Sequence, residues 1–215
     1  MNRSTALAGL VLAAIAACRH SSAPGSPQPA AGLRLVACEE TRRLAPAVEP
    51  PTGPTRLSGP RAQLVAVSRT VPGGFAGIRR LPPAGQIAIL LTDTSHAADV
   101  RAALREVAVS APLSPPSAPE TIARAPAIQV KWTLAELYDW LWYLESALQP
   151  AAHAFGGAYT SSGVDDGANR VFFDAPDSAT HAGLARALAG LAVPCELVTS
   201  DVRPYSTADG WPRRP

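Results

Sequence analysis

Asp93, His96 and Asp99 are the residues of this chain whose types and spacing come nearest to chemistry. An imidazole flanked by two carboxylates within one helical turn can hold a metal or move a proton. The same three residues also open an alanine-rich helix. There Asp93, Thr94 or Ser95 caps free amides, and Asp99 complements the positive helix end. Helix-start chemistry accounts for all three, and it is the preferred reading. The other histidines are His20, His153 and His181, of which His181 also stands near the start of an alanine-rich helix. No HExxH, CxxC, phosphate-loop or GxSxG pattern occurs, so no cofactor, no metal and no catalytic residue is expected. Ser161-Ser162-Gly163 lacks nucleophile-elbow spacing. Gly73-Gly74-Phe75-Ala76-Gly77 lacks the strand-loop-helix context of a phosphate site and reads as a glycine bulge in a strand. Asp165, Asp166 and Asn169 make part of a calcium loop, but a hairpin turn uses the same residues for backbone reasons.

The sulfur chemistry is more informative. Residues 6–17 are an uninterrupted apolar run behind Arg3, too short to span a bilayer and the right length for a signal-peptide core. The run ends Ile15-Ala16-Ala17-Cys18, small residues before a thiol, which resembles a bacterial lipobox. A peptidase needs small side chains at the cut, and lipidation needs a thiol at the new amino terminus. Residues 1–17 are therefore expected to be a lipoprotein signal peptide, with Cys18 lipidated. Residues 18–32, rich in Ser, Pro, Ala and Gly, would be the flexible tether. Arg19 in place of an aspartate after the cysteine favours the outer membrane if the cell is Gram-negative. Several acyl chains on one residue would anchor the protein stably. Cys38 and Cys195 then remain as a disulfide candidate in an oxidising compartment.

Proline-rich stretches punctuate the rest. The twenty-two prolines cluster at 46–60, read as a loop, and at 112–126, read as a linker, each too proline-rich for a helix or a central strand. They separate an N-terminal α+β module, 33–111, from a second module, 127–206, with a tail at 207–215. In the first, QLVAVS (63–68), GFAGIR (74–79) and QIAILLT (86–92) read as strands. A helix capped by Asp93, Thr94 or Ser95 then runs to about Val107. In the second, AIQVKWT (127–133) alternates like a strand. Thr133 and Glu136 have capping-box spacing ahead of a stripe of Leu134, Leu137, Leu141, Leu144 and Leu148, which Pro150 ends. Strands at 155–164 and 169–174 flank the turn Asp165-Asp166-Gly167. A helix opens at Asp177 or Ser178, and 196–202 is a last strand. The order β-α-β-β-α-β predicts an α+β fold with a C-terminal ferredoxin-like module, preceded by a shorter hairpin-plus-helix module. Gly74 to Asp93 and Gly157 to Asp177 are nearly equal distances, which suggests an internal duplication.

On the long helix, Tyr138 and Trp142 flank the leucine stripe on one side and Trp140 on the other, while Tyr143 faces away. Core packing is the preferred role, with Trp140 and Tyr143 the aromatics best placed to remain exposed as a partner-binding patch. The nineteen basic residues, all arginine but Lys131, are scattered and never exceed a pair. No basic stripe exists, so nucleic acid is not an expected partner.

The stretch TLAELYDWLWYLESAL, then GVDDGANRVFF, then ATHAGLARALAGLAVP, resembles a module of uncharacterised secreted bacterial proteins. It is also similar to the pro-segment modules of secreted bacterial chymotrypsin-like proteases. These motifs cover about a third of the chain and contain no catalytic residue. The resemblance implies a small α/β unit that binds a protease and assists its folding. With no protease domain following, that action would be in trans, as a chaperone or inhibitor. The expectation is thus an exported, membrane-anchored lipoprotein, not an enzyme, whose partners are the membrane through its lipid and another secreted protein. The alternatives are a small envelope hydrolase using the Asp/His cluster at 93–99, and a purely structural envelope lipoprotein.

Overall fold

Pro60 stands in the first turn of a helix, where its missing N–H costs nothing and its fixed φ suits helical backbone. It starts α1 (Gly59–Thr70), which buries Leu64, Val65, Val67 and Ser68. In the computed structural model, residues 44–49, 57–82, 86–110, 113, 117–149 and 161–203 are described. The strand expected at 63–68 is therefore helix. Its β-branched valines favour a strand locally, but the face they share with Leu64 packs into the common core and outweighs that preference.

β1 (Phe75–Leu81) and β2 (Gln86–Leu91) form an antiparallel hairpin whose register shifts between Phe75 and Gly77. That irregularity is the expected glycine bulge, centred on Gly77 at φ 148, while Gly73 and Gly74 form the turn before the strand. A 3-10 turn (Thr94–His96) leads into α2 (Ala97–Ser110), with Val100 and Leu104 inward. The segment expected to be a proline-rich linker contains a further helix, α3 (Pro119–Arg124). Pro119 starts it, Glu120 lies in the first turn and Ile122 is fully buried, so these prolines mark a helix start within the fold.

β3 (Ala127–Gln129) runs parallel to β2 and completes a three-stranded sheet, order β1-β2-β3. α4 (Leu134–Leu148) follows with its predicted capping box intact: Thr133 Oγ1 accepts from the Glu136 amide at 3.1 Å, and Glu136 Oε2 accepts from the Thr133 amide at 2.8 Å. β4 (Ser161–Asp165), β5 (Arg170–Asp174) and β6 (Val198–Thr199) form a second sheet, order β4-β5-β6. β4 and β5 are antiparallel, and β6 runs parallel to β5 after α5 (Ser178–Ala189).

The fold is thus mixed α+β, but the ferredoxin-like arrangement is not confirmed. That arrangement needs 127–133 in the C-terminal sheet, whereas Ala127–Gln129 pairs with β2. Alternation marks a strand; it does not say which sheet the strand joins. The observed order is instead helix, hairpin, helix, parallel third strand, from α1 to β3 and from α4 to β6, with α3 an additional helix before the third strand of the first half. Asp93 and Asp177, which the sequence pairs, each cap the turn or helix after a hairpin. One hydrophobic cluster draws residues from both halves, including Phe75, Ile89, Leu104, Leu137, Leu144, Phe173 and Leu184. α4 lies at its centre, touching α1 and β1 of the first half and β4, β5 and α5 of the second.

Candidate functional site

The sequence 92–99 folds as a capped helix start. Asp93 Oδ1 accepts from the Ser95 amide at 2.9 Å and from the Ser95 hydroxyl at 2.7 Å. These two bonds hold the Asp93 carboxyl below the usual carboxylate range. His96 sits between the two acids, with Nδ1 3.3 Å from Asp99 Oδ2 and Nε2 4.0 Å from Asp93 Oδ2. Gly73, at φ 100, packs beneath it: a Cβ there would lie 2.8 Å from His96 Cβ. The three predicted residues therefore do come together. They do so in the open, with side chains 58% (Asp93), 42% (His96) and 61% (Asp99) exposed. The Ser95 hydroxyl donates to Asp93 and makes no bond to His96, so no serine–imidazole pair forms. Among the described residues, no group of three or more His, Cys, Asp or Glu side chains is placed to hold a metal. His181 is similarly placed at the start of α5, its Nε2 3.4 Å from the Ser200 carbonyl.

The most heavily used residues lie in the β4–β5 turn. Asp165 Oδ1 accepts from the Ala168 amide at 2.9 Å, closing the turn locally. Asp166 and Gly167 reach into the first half. Asp166 Oδ2 pairs with Arg61 of α1 at 2.9 Å, and the Gly167 carbonyl accepts from Arg79 Nε of β1 at 2.7 Å. Burial works against the Arg61 charge, but Asp166 and Tyr138 together outweigh it, so the guanidinium pKa is raised. Gly77 lets the turn approach: a Cβ on it would stand 2.5 Å from Asp166 Cβ. Asn169 is buried in left-handed backbone, φ 57. Its Oδ1 accepts from the amides of Lys131 and Trp132 at 3.2 and 2.9 Å, and its Nδ2 donates to the Trp132 carbonyl at 2.7 Å. Asp165, Asp166 and Asn169 thus serve as a turn and as a clasp between halves. Sequence reasoning found the turn and missed the clasp. Its only trace was an asparagine at a position that demands positive φ.

Ser68 ties the halves a second time. Its hydroxyl donates to the Phe75 carbonyl at 2.6 Å and accepts from the Ala135 amide at 3.0 Å, capping α4 from α1.

The aromatics divide differently from expectation. Trp140 is 1% exposed and belongs to the core, so it offers no surface for a partner. The leucine stripe is flanked closely enough on both sides that the indole is enclosed; its Nε1 has no hydrogen-bond partner. Tyr143 is half-buried and stands edge-on to Trp140, centroids 5.7 Å apart. Trp142, also half-buried, packs against Tyr138 at 5.9 Å. Trp142 borders a groove of about 370 Å³ together with Asp139 and Arg69, facing Leu44, Pro46 and Val48 of an extended segment. Asp139 pairs with Arg69 at 2.7 Å, yet burial raises its pKa above the usual carboxylate value.

Cys195, between α5 and β6, is disulfide-bonded. Cys18 and Cys38, like His20 and His153, lie outside the described residues. No helix among the described residues is long and apolar enough to cross a membrane. No protein-family model and no curated protein sequence matches this chain.

Proposed function

We propose that this chain is an exported bacterial lipoprotein, cleaved before Cys18 and held at a membrane by lipid on that thiol. We propose further that it acts by binding another secreted protein, in the manner of a protease pro-segment working in trans. The observation that carries the anchor is the run at 6–17 ending Ile15-Ala16-Ala17-Cys18 behind Arg3. The disulfide at Cys195 supports export, because such bonds persist in oxidising compartments and are rare in reducing ones. With Cys18 lipidated, Cys38 is the remaining cysteine to pair with Cys195.

The binding reading rests on where polar chemistry is spent. Asp93, Ser95, Asp166, Asn169 and Ser68 each serve a cap, a turn or a contact between halves. The groove beside α4, with half-buried Trp142 over an Arg69–Asp139 pair, is the favoured contact surface: an amphipathic aromatic beside charge suits an extended peptide. The hydrolase reading keeps one specific observation, His96 between Asp93 and Asp99.

Metabolic labelling with a fatty acid tests the anchor. The full chain takes up label and Cys18→Ala does not; label persisting in Cys18→Ala overturns it. Immobilised soluble chain, residues 19–215, retains a secreted chymotrypsin-like serine protease, and Trp142→Ala weakens retention about tenfold or more. Equal retention by Trp142→Ala removes the groove as the surface. Hydrolytic activity abolished by His96→Ala, with no protease retained, replaces binding by catalysis.

A further inference from the structure

Consecutive residues, Leu44 to Val48, form one wall of the groove beside α4. A wall made of consecutive residues means that the groove runs along this segment and not across it. The opposite wall holds Glu136, Asp139 and Trp142, spaced three apart and so in a slanting row on α4, together with Arg69 of α1. From Glu136 to Trp142 the helix rises about 9 Å. That is the reach of about three extended residues at about 3.3 Å each. The groove is thus proportioned for a short extended segment.

The segment 44–49 is neither helix nor strand, and Pro46 biases Ala45 to extended backbone. Ala45 packs against the core and Val48 is half-buried. Yet among the described residues 44–49 make no hydrogen bond. Backbone that borders a groove with its N–H and C=O groups unpaired is a template for another chain. Pro46 has no N–H, which selects the edge that can form a ladder. Alternate residues share an edge, so Ala45 and Ala47 offer donor and acceptor together, while Leu44, Pro46 and Val48 face away. Across the groove, two carboxylates stand against one guanidinium, an excess of one negative charge beside the Trp142 indole.

We propose that the groove takes an extended, arginine-bearing peptide of a partner protein by strand addition to 44–48. Main-chain hydrogen bonds to Ala45 and Ala47 hold the peptide. An arginine side chain laid over Trp142 towards Asp139 and Glu136 selects it. Strand addition rests on the groove being the contact surface, and it names what the partner presents there.

Hydrogen exchange on the full chain in detergent, with and without acetyl-Thr-Val-Arg-Val-Thr-amide, tests strand addition. At saturating peptide the Ala45 and Ala47 amides exchange about tenfold or more slower, while that of Val48 changes less than about twofold. In calorimetry, the analogue with glutamate for arginine binds about fivefold or more weakly. An analogue methylated at every backbone nitrogen weakens at least as much, because it cannot donate to the ladder. Both changes lie in the peptide and leave the fold of the protein untouched. Binding without slowed exchange at Ala45 and Ala47 overturns strand addition, as does equal binding of either analogue. Amides already slow without peptide overturn it too, since a segment of the chain itself would then fill the groove. No binding of the peptide, with a protease still retained, overturns strand addition alone. Slowed exchange at Ala45 and Ala47, with no protease retained, overturns the protease reading alone.

Discussion

Asn169 spends its whole side-chain amide on the backbone of one neighbouring segment. Three hydrogen bonds to the backbone of residues 131–132 join the second hairpin to the chain entering α4, and the two to Trp132 are buried with it. Asn169→Gly keeps the left-handed backbone easy and removes only the side-chain bonds. It is expected to cost about 2–4 kcal/mol in urea unfolding, because it strands the buried amide and carbonyl of Trp132. A loss under about 0.5 kcal/mol would show that the bonds contribute little beyond what water supplies. Asp177 makes a different prediction. Its carboxylate accepts from the Thr180 amide, which holds its pKa below the usual value. A depressed folded pKa means stability that is present above the unfolded value of about 3.9 and is lost as pH falls through the folded one. Asp177→Ala therefore loses less stability than the natural chain on acidification from pH about 5 to about 2. Asp139 has the opposite sign, since burial raises its pKa and its contribution is lost as pH rises.

Between elements, the clasp of the β4–β5 turn on α1 and β1 explains why that turn is so rich in polar residues. Arg61 and Asp166 are part-buried, with side chains 32% and 18% exposed. A double-mutant cycle on Arg61→Ala and Asp166→Ala is expected to give a coupling of about 1–2 kcal/mol, above the range of exposed pairs. A coupling near zero would mean the turn is seated by Gly77 and Arg79 alone. Legibility in the sequence was greatest where one local rule decides. The Thr133 capping box, the leucine stripe of α4 and the Asp177 cap all follow from spacing within a turn or two. It was least where a distant partner decides. The 63–68 segment carries strand-like valines but folds as helix α1 within the shared core. The 127–129 strand was visible, but its place beside β2 was not. Prolines at 112–126 read as a linker because the helix start at Pro119 is made worthwhile only by Ile122 burying elsewhere. At the candidate site, Asp93, His96 and Asp99 were found with their capping role. Trp140 was misplaced because a helical wheel cannot show how wide a face the neighbours cover.

Across the described residues, the two halves share one core, with α4 contributing Leu134, Leu137, Trp140 and Leu144 to it at 1% exposure or less. Cooperative unfolding follows from such sharing. Far-ultraviolet circular dichroism and tryptophan fluorescence are expected to report one coincident transition in denaturant, and two separated transitions would show that each half holds its own core. The proposed function starts from the lipid anchor at Cys18. The most direct measurement is therefore the intact mass of the protein extracted from membranes. A mature chain beginning at Cys18 and carrying a diacylglyceryl group is the predicted result. A chain beginning at any other residue, or a Cys18 without lipid, would contradict the account.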